Sequence, residues 1–185
     1  AGELLRRPGA ELPPPAFTSF RGRTYASAVS PESAKIMATL GFGLMLIAQK
    51  PWETTLRETT EYRELYRSIH DAEPPAPVLV NFTTTDVDPG RAREMHEQFA
   101  VGYARSTIDH YEFTNERLEH VEGYEYYAGL RRNIEKHGLA AFNRFLADLQ
   151  IGGTPDEVVE QTVERVRALG AGGVVNVLGF GGMTG

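Results

Sequence analysis

Apolar residues in this chain fall into short continuous runs, separated by longer stretches with helical spacing. Four runs, Thr24–Val29, Phe42–Ala48, Val78–Phe82 and Val174–Leu178, are bounded by turn formers and predict strands. They lack apolar–polar alternation, as strands covered on both faces of a parallel sheet do. Between them the pattern turns helical. Ser30-Pro31-Glu32-Ser33 predicts a helix start, with Ser30 as cap, Pro31 at the first helical position and Glu32 at the positive end of the dipole. That helix runs Ser33 to Leu40 and stops at Gly41. Pro51 introduces a second helix, from about Trp52 to Ile69, with Trp52, Leu56, Tyr62, Leu65, Tyr66 and Ile69 as its buried stripe. Asp88-Pro89 opens a third, reaching about Asp109 with Ala92, Met95, Phe99 and Tyr103 on one face. Thr154 and Glu157 have the spacing of a capping box, and a helix from Pro155 to Leu169 follows, apolar through Val158, Val159, Thr162, Val166 and Leu169. Gly152-Gly153 immediately precedes it.

Two regions stand outside the strand–helix alternation. Residues 1–22, with Pro13-Pro14-Pro15, form an irregular lead-in. From Tyr111 to Leu149 the pattern loosens, with aromatics at Tyr124, Tyr126 and Tyr127 and helical patches at about 128–136 and 139–147. This is too long for an ordinary connection and reads as an insertion, at about 111–149, with helices of its own. Strand–helix order four times over suits a small open α/β sheet or half of an eight-stranded barrel. A whole barrel takes about 250 residues, so 185 are too few for one.

Composition narrows the partners. A hydrophobic share of 41% and a net charge of −6 describe a soluble globular chain without the basic excess of a nucleic-acid binder. The absence of cysteine excludes disulfides, thiolate nucleophiles and cysteine-held zinc, and fits a cytoplasmic setting. The longest apolar run, Phe42–Ala48, is too short to cross a bilayer, so no membrane partner is expected. A start at Ala1 and an ending in Gly-Gly-Met-Thr-Gly suggest a piece of something longer.

The candidate chemistry centres on the first strand–helix junction. A strand running into a serine-rich helix start gathers free N–H and O–H groups, as an anion site requires, although the same four residues also make a good cap and nothing more. Met45, Ile47 and Gln49 lie toward the far end of the next strand. Met45 and Ile47 read equally as core or as residues facing a bound ligand, and Gln49 as a solvated loop residue. His70, His96, His110, His120 and His137 are scattered without metal-site spacing, so no metal is expected. Gly41-Phe42-Gly43 lacks the third glycine of a dinucleotide fingerprint, and there is no nucleophile elbow or phosphate loop. Glu112, Glu116, Glu119 and Glu122 read as a solvent-facing acidic run. Nothing identifies a general acid or base.

Several of these segments together resemble the bacterial luciferase-like monooxygenase family, flavin-dependent enzymes on a (β/α)8 barrel. Tyr25-Ala26-Ser27-Ala28-Val29-Ser30-Pro31-Glu32-Ser33 with Leu40-Gly41-Phe42-Gly43 is similar to the family's fifth strand, helix and sixth strand. Gly153-Thr154-Pro155-Asp156-Glu157-Val158-Val159 resembles its Gly-Thr-Pro-Glu-Glu-Val helix start, and Gly172 to Leu178 its last barrel strand. Gly123-Tyr124-Glu125-Tyr126-Tyr127 looks like segments lying before that strand. The resemblance covers most of residues 20–182 and corresponds to the carboxyl half, about the last four β/α units of a TIM barrel. It implies a reduced FMN cofactor used with O2 on a small organic substrate, or alternatively a deazaflavin used for hydride transfer without oxygen. The phosphate would lie at Ala28, Val29, Ser30 and Ser33, with the two serines as hydroxyl donors and Val29 and Ser30 giving backbone N–H groups. In such enzymes the cofactor carries the redox chemistry, which accounts for the lack of an evident acid or base. The missing amino-terminal half would come from the same or a second chain, and a homo-oligomer, as dimer, is expected. A non-catalytic half-barrel that binds flavin or serves assembly is the alternative.

Overall fold

Every strand pair in the computed structural model, which describes residues 14–15, 17–20, 22–120 and 124–183, is parallel. Strand β1 (Tyr25–Ser27) leads to helix α1 (Pro31–Leu40), β2 (Gly43–Ile47) to α2 (Trp52–His70), and β3 (Val78–Thr85) to a long helical passage. That passage comprises α3 (Pro89–Met95), a π-turn at His96–Ala100, α4 (Val101–His110), α5 (Glu125–His137) and α6 (Leu139–Asp148). Strand β4 (Ile151–Gly153), α7 (Pro155–Leu169) and β5 (Gly173–Val177) complete the order. In the sheet β1 pairs β2, β2 pairs β3 and β3 pairs β5. Strands therefore neighbour one another in chain order without reversal, the winding of a barrel rather than of a doubly wound sheet. No helix among the described residues is long and apolar enough to cross a membrane.

The local chemistry fixes the boundaries. Ser30 caps α1 by accepting from the Ser33 N–H at 3.2 Å, and Gly41, at φ 74°, ends it in the left-handed conformation. The register places alternate residues on two faces. Leu44 packs with Ala38, Tyr62 and Tyr66 under α1 and α2, so Leu44, Leu46 and Leu79, the partner of Leu46, face the helices. Met45, Ile47, Val78, Val80 and Phe82 face the other way, toward what would be a barrel interior. Tyr62 seals the helix side by donating to the Phe42 carbonyl at 2.6 Å, and burial pushes its phenol up to about 12.

Strand β3 is longer than Val78–Phe82. Its first five residues pair with β5, and the extra three, Thr83–Thr85, pair with β4. Gly152-Gly153 thus belongs to a strand that the sequence pattern does not announce. Gly152 is there because a Cβ would sit 2.2 Å from His96 Nδ1 and 2.7 Å from Thr84 Oγ1. Two other expectations need correction. Ile69 and Val159 are exposed rather than part of buried stripes, whereas Thr59, between the aromatic positions of α2, is buried with its hydroxyl on the Thr55 carbonyl. The Asp88–Asp109 helix is continuous, but it accommodates one π-turn.

The described residues enclose two cores. One lies under α1 and α2. The other joins Ala104 and Ile108 of α4 to Phe113, Ile134 of α5, and Phe142 and Leu146 of α6. Gln150 ties the second unit to the sheet, its side-chain amide donating to Ala48 at 2.7 Å and Leu146 at 3.0 Å. The expected lead-in at residues 1–22 falls largely outside the described residues, as do Glu122 and Gly123 and the Glu119 side chain.

Candidate functional site

The carboxyl ends of β1 and β2 converge with the helical passage on one side of the sheet, and two features lie there. The first is the β1–α1 junction. Ser30 is 4% exposed, and its hydroxyl is fully engaged, accepting from the Ser33 N–H and donating to Ser33 Oγ at 3.0 Å. Ser30 is therefore a positioning group, and Ser33, half-buried, keeps its own hydroxyl proton. Among the described residues, the N–H groups of Val29, Ser30 and Glu32 have no hydrogen-bond acceptor, and Pro31 has no N–H to give. Ala28 packs its methyl against the core under α1, so only its backbone faces this junction. Three amides and one hydroxyl at a helix amino terminus suit a phosphate, which accepts and does not donate. Of the four expected residues, the structure brings Val29, Ser30 and Ser33 together at this end and leaves Ala28 as their support.

The second feature is a cavity of about 520 Å³ between the β2–α2 turn and helices α5 and α6. Helix α6 presents Phe142 and Phe145, α5 presents Tyr126 and Leu130, and the turn presents Gln49 and Lys50. Gln49 is not a solvated loop residue: its amide donates to the Tyr103 hydroxyl at 3.1 Å. Tyr103 in turn stacks on Phe82, with centroids 3.9 Å apart. Burial raises the Tyr103 phenol above its ordinary value, against the lowering effect of the Gln49 and Thr107 hydrogen bonds.

Lys50 has a 9% exposed side chain and pairs with Glu58 of α2, and its ammonium stands 4.6 Å over the Tyr126 ring. Burial, with the Glu58 charge adding to it, holds the Tyr126 phenol well above the usual range, so it stays neutral. Lys50 also borders a small void of about 20 Å³ lined by Ala28, Val29 and Ala34. The two features thus adjoin through one lysine. Sequence reading noted the aromatic cluster but not Lys50, Leu130, Phe142 or Phe145 as a lining; the Phe142/Phe145 spacing on one helix face was its available signal. Among the described residues, no three His, Asp or Glu side chains gather as metal ligands would.

A model of the family described as luciferase-like monooxygenase matches residues 1–172. Comparison with curated protein sequences gives no match. Among solved structures, monooxygenase RslO1 from Streptomyces bottropensis is similar with a TM-score of 0.54 at 16% identity, over 86% of this chain and 42% of that one. The oxygenating constituent of 3,6-diketocamphane monooxygenase from the CAM plasmid of Pseudomonas putida, a type II Baeyer–Villiger monooxygenase solved in complex with FMN, gives 0.55 at 16% identity, over 83% and 41%. The coenzyme F420 dependent tetrahydromethanopterin reductase from Methanopyrus kandleri gives 0.50 at 16% identity, over 82% and 44%. At such identities the likeness is one of fold, and the chain spans less than half of each of these structures. The parallel sheet in chain order is accordingly part of a barrel of this type.

Proposed function

This chain belongs to the luciferase-like monooxygenase family, and we propose that it supplies the carboxyl-terminal half of a flavin-dependent oxidoreductase acting on a small organic substrate. The observation that carries this reading is the β1–α1 junction, where a buried serine cap leaves three backbone N–H groups and the Ser33 hydroxyl without acceptors among the described residues. Those groups would hold the cofactor's phosphate. A bound flavin supplies the redox chemistry, with O2 as oxidant in a monooxygenase. The chain's own share is binding, orientation and exclusion of water. Val29, Ser30 and Glu32 give amides, Ser30 holds the Ser33 hydroxyl in place, and the helix dipole favours the anion. Reduced FMN is the cofactor we favour. A deazaflavin used for hydride transfer is the second reading, supported by the fold shared with an F420-dependent reductase. The remaining strands would come from the rest of the barrel, carried by the same or another chain.

The test is flavin affinity in a complete barrel carrying Ser30→Ala and Ser33→Ala together. Loss of a hydroxyl donated to a charged group should weaken FMN binding roughly tenfold to a hundredfold. Loss of the cap should lower stability by about 1 kcal/mol, too little to unfold the protein. Unchanged affinity for FMN and for a deazaflavin in the folded double variant would remove the phosphate site.

A further inference from the structure

We infer that the cavity between the β2–α2 turn and helices α5 and α6 binds an uncharged, largely apolar organic molecule, with its polar end toward Asn133 and His137. Its volume of about 520 Å³ lies within the range of small-molecule sites. The deep walls are apolar: Phe142 is buried, and Phe145 and Leu130 pack against the core of the helical unit. They do not collapse onto the sheet, because Gln150 and the Gln49–Tyr103 hydrogen bond hold the two units at their present spacing.

The electrostatics exclude a charged occupant. Among the lining residues Lys50 alone carries a permanent charge, and Glu58 neutralises it while Tyr126 covers it. An anion entering the cavity would have to displace Glu58 or lose its hydration without a free counter-charge, and a cation would meet no carboxylate on the walls. Of the polar lining side chains, Thr54 and Tyr126 are partly buried, and Asn133 and His137 are exposed, at the mouth. Asn133 and His137 lie one turn apart on α5, and neither side chain has a hydrogen-bond partner among the described residues. An apolar body against Phe142 and Phe145 and a carbonyl or hydroxyl near Asn133 and His137 satisfies both ends. The binding claim stands on the cavity alone. Identifying the occupant as the molecule to be oxidised rests on the oxidoreductase reading above, which places the cofactor next door across Lys50.

The test uses two dyes with one skeleton, the neutral N-phenyl-1-naphthylamine and its sulfonated analogue 1-anilinonaphthalene-8-sulfonate, titrated by fluorescence against the full chain without flavin. The neutral dye should bind saturably, one per chain, and about tenfold or more tighter than the sulfonate. Ala141→Trp on α6 and Thr54→Trp on the facing wall of α2 should each weaken it by about tenfold or more, with helical circular dichroism retained. Val175→Trp, on the sheet face away from the helices, should leave it unchanged. Equal affinity for the two dyes, indifference to both filling variants, or loss only in Val175→Trp would each overturn the inference. The flavin reading is scored separately by the Ser30/Ser33 variant. A responsive cavity beside unchanged flavin affinity would keep the site and discard the cofactor assignment.

Discussion

At the scale of single residues, the side chains that matter most sit where two units touch. His96 occupies the π-turn, half-buried, with Nδ1 3.1 Å from Thr84 Oγ1 at the upper end of β3. Burial is the main cause that lowers its pKa, and the Arg144 guanidinium adds to it. A hydrogen bond to the Ala147 backbone and the Asp148 and Glu97 carboxylates oppose the shift. A base whose pKa is depressed on folding binds its proton more readily in the unfolded chain. Stability from this residue is therefore complete above the ordinary imidazole value of about 6.5, and is lost as pH falls from there through the folded value. Urea unfolding at about pH 7.5 and about pH 5.5, either side of that value, should show a larger loss on acidification for the native chain than for His96→Asn. Equal losses would mean that His96 stays protonated, or stays exposed, in the fold. Nothing in the sequence flagged this residue. Its neighbours Thr84 and Gly152 are 12 and 56 positions away, and periodicity carries no information about contacts at that range.

At the scale of elements, what was legible and what was not divide along the same line. Helix starts were readable because they are local chemistry: Ser30 with Pro31, Asp88 with Pro89, and Thr154 with Glu157 each cap within three or four residues. Strands β1, β2, β3 and β5 were readable as apolar runs. Strand β4 was not, because three residues containing two glycines have no pattern; it exists only because β3 extends to Thr85 and presents a ladder. The Ser30–Ser33 junction could be found from sequence, but Ser30's role as the holder of Ser33 needed the geometry. The 520 Å³ cavity is formed by elements more than seventy residues apart in the chain, and so lay beyond any local reading. The dependence of β4 on close approach yields a prediction. Gly152→Ala places a methyl against His96 and Thr84, and should cost about 1–3 kcal/mol as that corner is forced apart. Gly179→Ala, whose added Cβ meets nothing within 4 Å and whose φ is outside the left-handed region, is the comparison. Chemical denaturation that ranks Gly152→Ala as the milder of the two would show that β4 is not packed against the π-turn as described.

At the scale of the whole molecule, the sheet is closed on neither side. Among the described residues, β1 pairs only with β2, and β5 pairs only with β3, so each presents one edge of unpaired backbone groups. Short length does little to protect β5, since Val175 within it and Leu178 just after it are 42% and 65% exposed. The interior-facing row that includes Met45, Ile47 and Val175 has no opposing strands among the described residues. Edges and apolar faces of this kind drive association until something covers them. In the relatives, which extend well beyond the matched region, more than half of each structure lies outside the part this chain spans. The 185 residues expressed by themselves should accordingly not persist as a 20.5 kDa monomer. Light scattering across a dilution series is expected to give dimers or larger species, and supplying the complementary strands should convert them to a discrete barrel. The same addition should raise flavin affinity, because the β1–α1 junction provides donors for a phosphate but little to enclose a ring system. A monodisperse monomer at micromolar concentration, unchanged when those strands are added, would mean that the open sheet is stable on its own. The half-barrel would then have to be treated as a finished unit whose edges are protected by residues other than those described.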